Sequence, residues 1–270
     1  MDLSALLVLL GLGLVGLLGW RLLAPGLRRL HAEDTSPNGL WLFGAGFAVQ
    51  LAAVGLAAGF LHPASGLAAD APGGRDDLVQ LMTLTALAWA LAVGVMLVLV
   101  GWREGSARGL GLRRHRGPPA PLVAAAAWLL FFPCFIAVAG LNHLVLERLG
   151  VQDGLQEAVR LFMDQPRARG SVMTWLSMTV FIPVAEEIAF RGALFGALRR
   201  MLHPALAIGI SALVFGALHG TSSLLPAAAL GAFLAWLYER TGSLAAPICF
   251  HGLHNALTLA LVTLYPQAAQ

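Results

Sequence analysis

Runs of about 20 apolar residues, the length a bilayer core demands, recur through this chain and leave little room for any other architecture. They fall at roughly 3–23, 40–61, 79–101, 120–142, 172–198, 204–220, 223–239 and 244–264. This spacing predicts an all-α, polytopic membrane protein of about eight transmembrane helices. Charged residues make up only 11% of the chain, against roughly 25% in soluble domains, and the mean hydropathy is +0.77. The first run begins after Asp2 rather than a basic stretch and shows no small-residue cleavage site, so it reads as a retained helix.

The 17 basic residues are all arginines, and the formal charge is +3. In a membrane protein such an excess marks cytoplasmic loops, and no nucleic-acid partner is expected. Arg21, Arg28 and Arg29 follow the first run, and Arg103, Arg108, Arg113, Arg114 and Arg116 follow the third. The loop between them, from Asp70 to Asp77, holds one arginine and three aspartates. Alternation therefore puts the first and third loops in the cytoplasm and the N-terminus outside. The loop 143–171 has four arginines and four acids on the opposite side, and it reads as an interfacial amphipathic helix. Cys134 and Cys249 lie in separate apolar runs without metal-finger spacing.

The chain divides at that loop. Residues 1–171 read as a transmembrane scaffold of about four helices plus the loop, and 172–264 as a domain with a buried polar site. Spans one to four hold no carboxylate in their interiors. The fifth holds Glu186, Glu187 and Arg191, each costing roughly 2.5–3.5 kcal/mol or more at mid-bilayer. Glu187 and Arg191 are four apart and share a helix face, while Glu186 is rotated by about 100°. Arg191 can pair fully with only one carboxylate. Pro183 just upstream is expected to kink the span and free a backbone carbonyl.

Further polar groups follow. Phe215-Gly216-Ala217-Leu218-His219 closes the sixth run, and His251 and Asn255 are four apart on the eighth. His254 lies on a neighbouring face and reads as a residue that packs or supports the site from behind. Counted from Arg199, Pro204 and Ser243, these groups stand 8 to 15 residues into their spans, a depth of about 12–23 Å. They can meet in one pocket. There a carboxylate and a histidine can deprotonate a water, while a second histidine and an asparagine amide donate hydrogen bonds to an oxyanion. Glu186, His219 and His251 could equally be ligands of Zn²⁺. The usual zinc-protease signal H-E-x-x-H is absent.

The order Glu186-Glu187…Arg191, Phe215…His219 and His251…Asn255 resembles the CPBP family, the CAAX-protease and bacteriocin-processing intramembrane proteases related to the type II CAAX prenyl endopeptidases. The resemblance covers roughly 172–258. It implies that Glu186 and His219 activate the attacking water or hold a metal, and that His251 and Asn255 complete the site as oxyanion donors or ligands. It further implies that Glu187 and Arg191 orient and neutralise. A peptide or membrane-protein substrate, the lipid bilayer as surroundings and a bacterial plasma-membrane location are the corresponding expectations, with Zn²⁺ left open as a cofactor.

Other classes fit less well. Gly220-Thr221-Ser222-Ser223 comes close to the serine motif of rhomboid-type proteases but lacks its final glycine, and no span interior holds an aspartate for an aspartyl protease. A transporter could use buried Glu, His and Arg as a relay, though no internal repeat is seen. A non-catalytic immunity or scaffold protein is the remaining alternative.

Overall fold

The computed structural model describes residues 15–27, 29–61, 77–115, 117–151, 159, 162–163 and 170–265, and these form helices joined by turns, without strands. We label them α1 (15–23), α2 (Gly39–Leu61), α3 (Asp77–Glu104), α4 (Ala120–Arg148), α5 (Val172–Met201), α6 (Pro204–Ala217), α7 (Leu224–Thr241) and α8 (Ala245–Leu264). Among the described residues five helices are long and apolar enough to cross a membrane: α3 from Met82 on, α4, α5, α7 with the turn before it, and α8. The expectation of eight spans is therefore met only in part. Most of the first run, the loop 62–76 and most of the amphipathic helix expected in 143–171 lie outside the described residues. Of α2, 39–53 forms a shorter apolar helix within the residues searched.

The sixth run differs for a physical reason. The helix α6 has 14 residues, a rise of about 21 Å, short of the ~30 Å hydrocarbon thickness. It ends at Ala217, so His219 stands in the turn beyond it rather than on the helix. Gly220 adopts φ +85°, and a short 3-10 turn, Thr221–Ser223, leads into α7. The turn is tethered from the first half of the chain: buried Asn142 on α4 donates Nδ2 to the Ser222 carbonyl at 2.8 Å. At Gly216 a Cβ would stand 2.6 Å from the Leu224 carbonyl, so only glycine lets α6 and α7 approach this closely.

The arginine-rich loops gather at one end. Arg113 pairs with Asp34 at 2.7 Å and also donates to the Asp34 carbonyl. Glu104 accepts from Ser36 and Asn38 at 2.5 and 2.8 Å. Arg199 pairs with Glu239 at 3.0 Å, and Arg200 donates to the carbonyls of Ala32 and Thr35. Leu30 donates its N–H to the Glu239 carbonyl, and Ser243 its hydroxyl to the Arg113 carbonyl. The loops after α1, α3, α5 and α7 thus share one face, as the alternation of arginine counts requires.

One apolar core joins both halves of the chain. Trp89, Met96, Val123, Ala127 and Phe131 from α3 and α4 pack in the same cluster as Phe190, Phe215, Leu234 and Phe250. The helices α3 and α4 of the first half thus supply part of the surroundings of the polar residues.

Pro183 is accommodated within α5. A π-helical stretch, Ser177–Phe181, precedes it, and the Ile182 N–H reaches the Ser177 carbonyl five residues back. In that register the next bond would run from residue 183 to the Met178 carbonyl, but proline has no N–H to donate. The amide of Asn255 on α8 takes its place, donating Nδ2 to the Met178 carbonyl at 2.8 Å. Close approach of α8 is possible because residue 252 is glycine: a Cβ there would stand 2.5 Å from the Thr179 carbonyl. Gly252→Ala should force the two helices apart, at a cost of roughly 1–3 kcal/mol by analogy with overpacked cores. A lower thermal midpoint of the detergent-solubilised protein checks this, and an unchanged midpoint would show that the contact gives way.

Candidate active site

A second π-helical stretch, Glu187–Phe195, follows the short α-helical turn Ile182–Glu186, and all nine of its residues are buried. The doublet sits at this junction, and its two carboxylates meet different surroundings. Glu187 has no exposed surface and lies beneath the site. Its Oε1 is 3.1 Å from Arg191 NH1 and accepts from His251 Nδ1 at 2.9 Å. Such burial is tolerable only for a charge that is paired and hydrogen-bonded. Glu186 faces a cavity of about 370 Å³ instead.

Arg191 is held on three sides. Besides Glu187, its NH2 donates to the Gly231 carbonyl at 3.2 Å. Its guanidinium carbon stands 4.5 Å from the centroid of the Phe215 ring, a cation–π contact strengthened where water is excluded. Phe215 also packs edge-on against Phe190 and lies 4.3 Å from the His219 ring. The aromatic residue of the Phe215…His219 motif therefore links the buried arginine to the histidine at the cavity.

The cavity brings the expected residues together. Glu186, His219, His251 and Asn255 all line it, from three separate parts of the chain. His251 Nε2 is 3.8 Å from Glu186 Oε2, so the ring stands between the two carboxylates. His219 donates Nδ1–H to the Phe215 carbonyl at 2.7 Å, which leaves its Nε2 as the nitrogen open to a ligand. Asn255 keeps one amide hydrogen after binding Met178. Trp89 and Thr85 of α3, Phe135 of α4 and Met178 and Ile182 of α5 form much of the remaining wall.

Several of these contacts were outside the reach of the sequence. Nothing in the spacing showed that His251 bonds the supporting Glu187 with one nitrogen while turning the other towards Glu186. The tether from Asn142 to the His219 turn was likewise missed, though an asparagine within an otherwise apolar run is the signal that could have found it. His254, read as a packing residue, does pack: its ring is edge-on to Phe135 at 4.7 Å, but it also lines the cavity.

Glu186, His219 and His251, the residues that would hold a Zn²⁺ ion, all line the cavity but are not drawn together as ligands in this arrangement. Among the described residues no three His, Cys, Asp or Glu side chains are grouped so as to hold a metal ion. The Nδ1 atoms of both histidines are engaged with other partners, which leaves Nε2 as the nitrogen each would offer a metal.

No match is found among curated proteins or among solved structures. Residues 168–257, which include Glu186, Glu187, Arg191, His219, His251 and Asn255, match the family described as type II CAAX prenyl endopeptidase Rce1-like, so this segment of a multi-pass, all-helical chain is similar to the CAAX proteases that its motifs resemble.

Proposed function

We propose that the chain is an intramembrane endopeptidase that hydrolyses a peptide bond in or beside the membrane with a water activated by Glu186. The observation that carries this reading is the shared cavity of Glu186, His219, His251 and Asn255, with Glu187 buried behind it. Glu186 is the carboxylate not consumed by Arg191, so it is available as a general base. His219, with Nδ1–H tied to a carbonyl, can accept one hydrogen of the same water at Nε2 and fix its direction.

The remaining groups suit the developing charge. Attack of the water oxygen on the scissile carbonyl carbon places negative charge on the carbonyl oxygen. Asn255 has one amide hydrogen left for it. In its imidazolium form His251 donates Nδ1–H to Glu187 and keeps Nε2–H for the oxyanion. The proton taken by Glu186 passes to the leaving amine as the C–N bond breaks, which yields a carboxylic acid and an amine and regenerates the carboxylate. No covalent intermediate is needed.

The location follows the same reading: a multi-pass protein of a bacterial plasma membrane, acting on a secreted peptide or a membrane protein. The apolar wall of the cavity suits a substrate segment that is itself apolar.

Glu186→Gln and His219→Ala should each reduce cleavage by at least about 10²-fold, the lower range for loss of a general base, while the thermal midpoint stays near that of the parent. A peptide-release assay with protein in nanodiscs reads both, and full activity in either variant would refute the assignment of the water-activating pair. Arg191→Met should behave differently. It leaves Glu187 buried without its cation, at a cost of about 3–5 kcal/mol, so the yield of folded, monodisperse protein should fall. Glu187→Gln should keep a hydrogen bond to His251 and lower activity or stability without eliminating turnover.

A further inference from the structure

His254 is a histidine in a position where a phenylalanine would pack as well. Its ring is edge-on to Phe135 at 4.7 Å and to Phe131 at 6.0 Å, and it stacks on Phe250 with an interplanar angle of 5°. It is only 7% exposed, and its Nδ1 has no hydrogen-bond partner among the described residues. A buried polar atom without a partner is a net cost to folding, so packing does not account for the choice of residue.

The ring also lines the cavity that holds Glu186, and it sits one turn beyond His251 and next to Asn255. With Nδ1 sealed among the phenyl rings, Nε2 is the nitrogen a ligand can reach. The wall around it is largely apolar, including Trp89, Ile182 and Leu259. A peptide lodged there brings N–H and C=O groups that cannot stay unsatisfied away from water. A neutral imidazole nitrogen can serve either kind of group, according to its tautomer.

We propose that His254 is a substrate-binding residue, one that hydrogen-bonds a main-chain amide of an apolar peptide segment next to the scissile bond. The inference rests on the endopeptidase reading for its reaction but makes a separate claim about binding. It predicts a cost in KM rather than kcat, because the group lies beyond the atoms that react.

The test uses the full chain in nanodiscs and a set of internally quenched peptides with apolar centres, the best-cleaved member serving as probe. His254→Phe, which keeps the aromatic packing, should raise KM about tenfold, equivalent to about 1.4 kcal/mol, with kcat within twofold and an equal or higher thermal midpoint. His254→Gln should recover part of the loss. A KM unchanged in His254→Phe, or a change confined to the thermal midpoint, overturns the proposal. Equilibrium binding of the same peptides to Glu186→Gln, with and without His254→Phe, separates the two claims. Binding that weakens with His254→Phe in a protein whose parent cleaves none of the set supports the peptide site and refutes the hydrolase. Binding that is absent or indifferent to His254 overturns the peptide site, whatever the parent cleaves.

Discussion

A carboxylate with no exposed surface sets the terms for the rest of this structure. Glu187 lies within a helix that has the length and composition of a membrane span, and water is not at hand to solvate it. Its neutralisation requires Arg191 on the same helix and a donor from another. Arg191 in turn needs more than one carboxylate oxygen to satisfy its guanidinium, and finds the Gly231 carbonyl of α7 and the face of Phe215 on α6. The second donor to Glu187 is His251 of α8. One buried charge thus obliges four helices to converge. The convergence point lies behind the cavity that Glu186 faces, and a stability requirement thereby also orients side chains that line the cavity.

The same logic operates in the backbone. Pro183 removes a donor from α5, and in the π-helical register upstream of it the carbonyl left without an N–H belongs to Met178. Asn255 supplies the missing donor. An amide that sits at the cavity is fixed there by a defect in a neighbouring helix, and the glycine one turn before it lets the two backbones come close enough. Irregular backbone at membrane depth survives where it is buried in protein or lines a cavity, and this helix does both. The turn after α6 follows suit, short of a full span and held by Asn142.

This bears on how much could be read in advance. The helical class, the grouping of the arginine-bearing loops at one end and the co-location of Glu186, His219, His251 and Asn255 were legible, because each follows from hydrophobic length, charge placement or helical period. The unequal fates of Glu186 and Glu187 were legible too, since a single arginine at i+4 can serve only one. What the sequence withheld were the pairings between elements. His251 could have faced either glutamate, and only the packing of α8 against α5 decides that Nδ1 meets Glu187. Pro183 announced a freed carbonyl without saying which residue would receive it, because the answer depends on a π register that local propensity does not encode. The length of α6 was overestimated for a related reason: its apolar run continues past Ala217 into a turn that hydropathy cannot tell from helix.

The two glutamates also illustrate how a membrane site can hold two like charges side by side. Adjacent carboxylates in a low-dielectric medium repel, and both ionise only if each has its own compensation. Here the compensation is unequal by construction. Glu187 has a guanidinium at 3.1 Å and an imidazole nitrogen at 2.9 Å, whereas Glu186 has the far nitrogen of that same imidazole at 3.8 Å. A distance of that size is long for a direct hydrogen bond and suited to a bridging oxygen. The carboxylate without a guanidinium beside it is the one that opens on the cavity, where it would take hold of a water. Glu187 uses Oε1 to pair with Arg191 and keep His251 in place. The doublet is therefore a pair in sequence and a division in space, and the 100° turn between neighbouring residues on a helix is what creates that division.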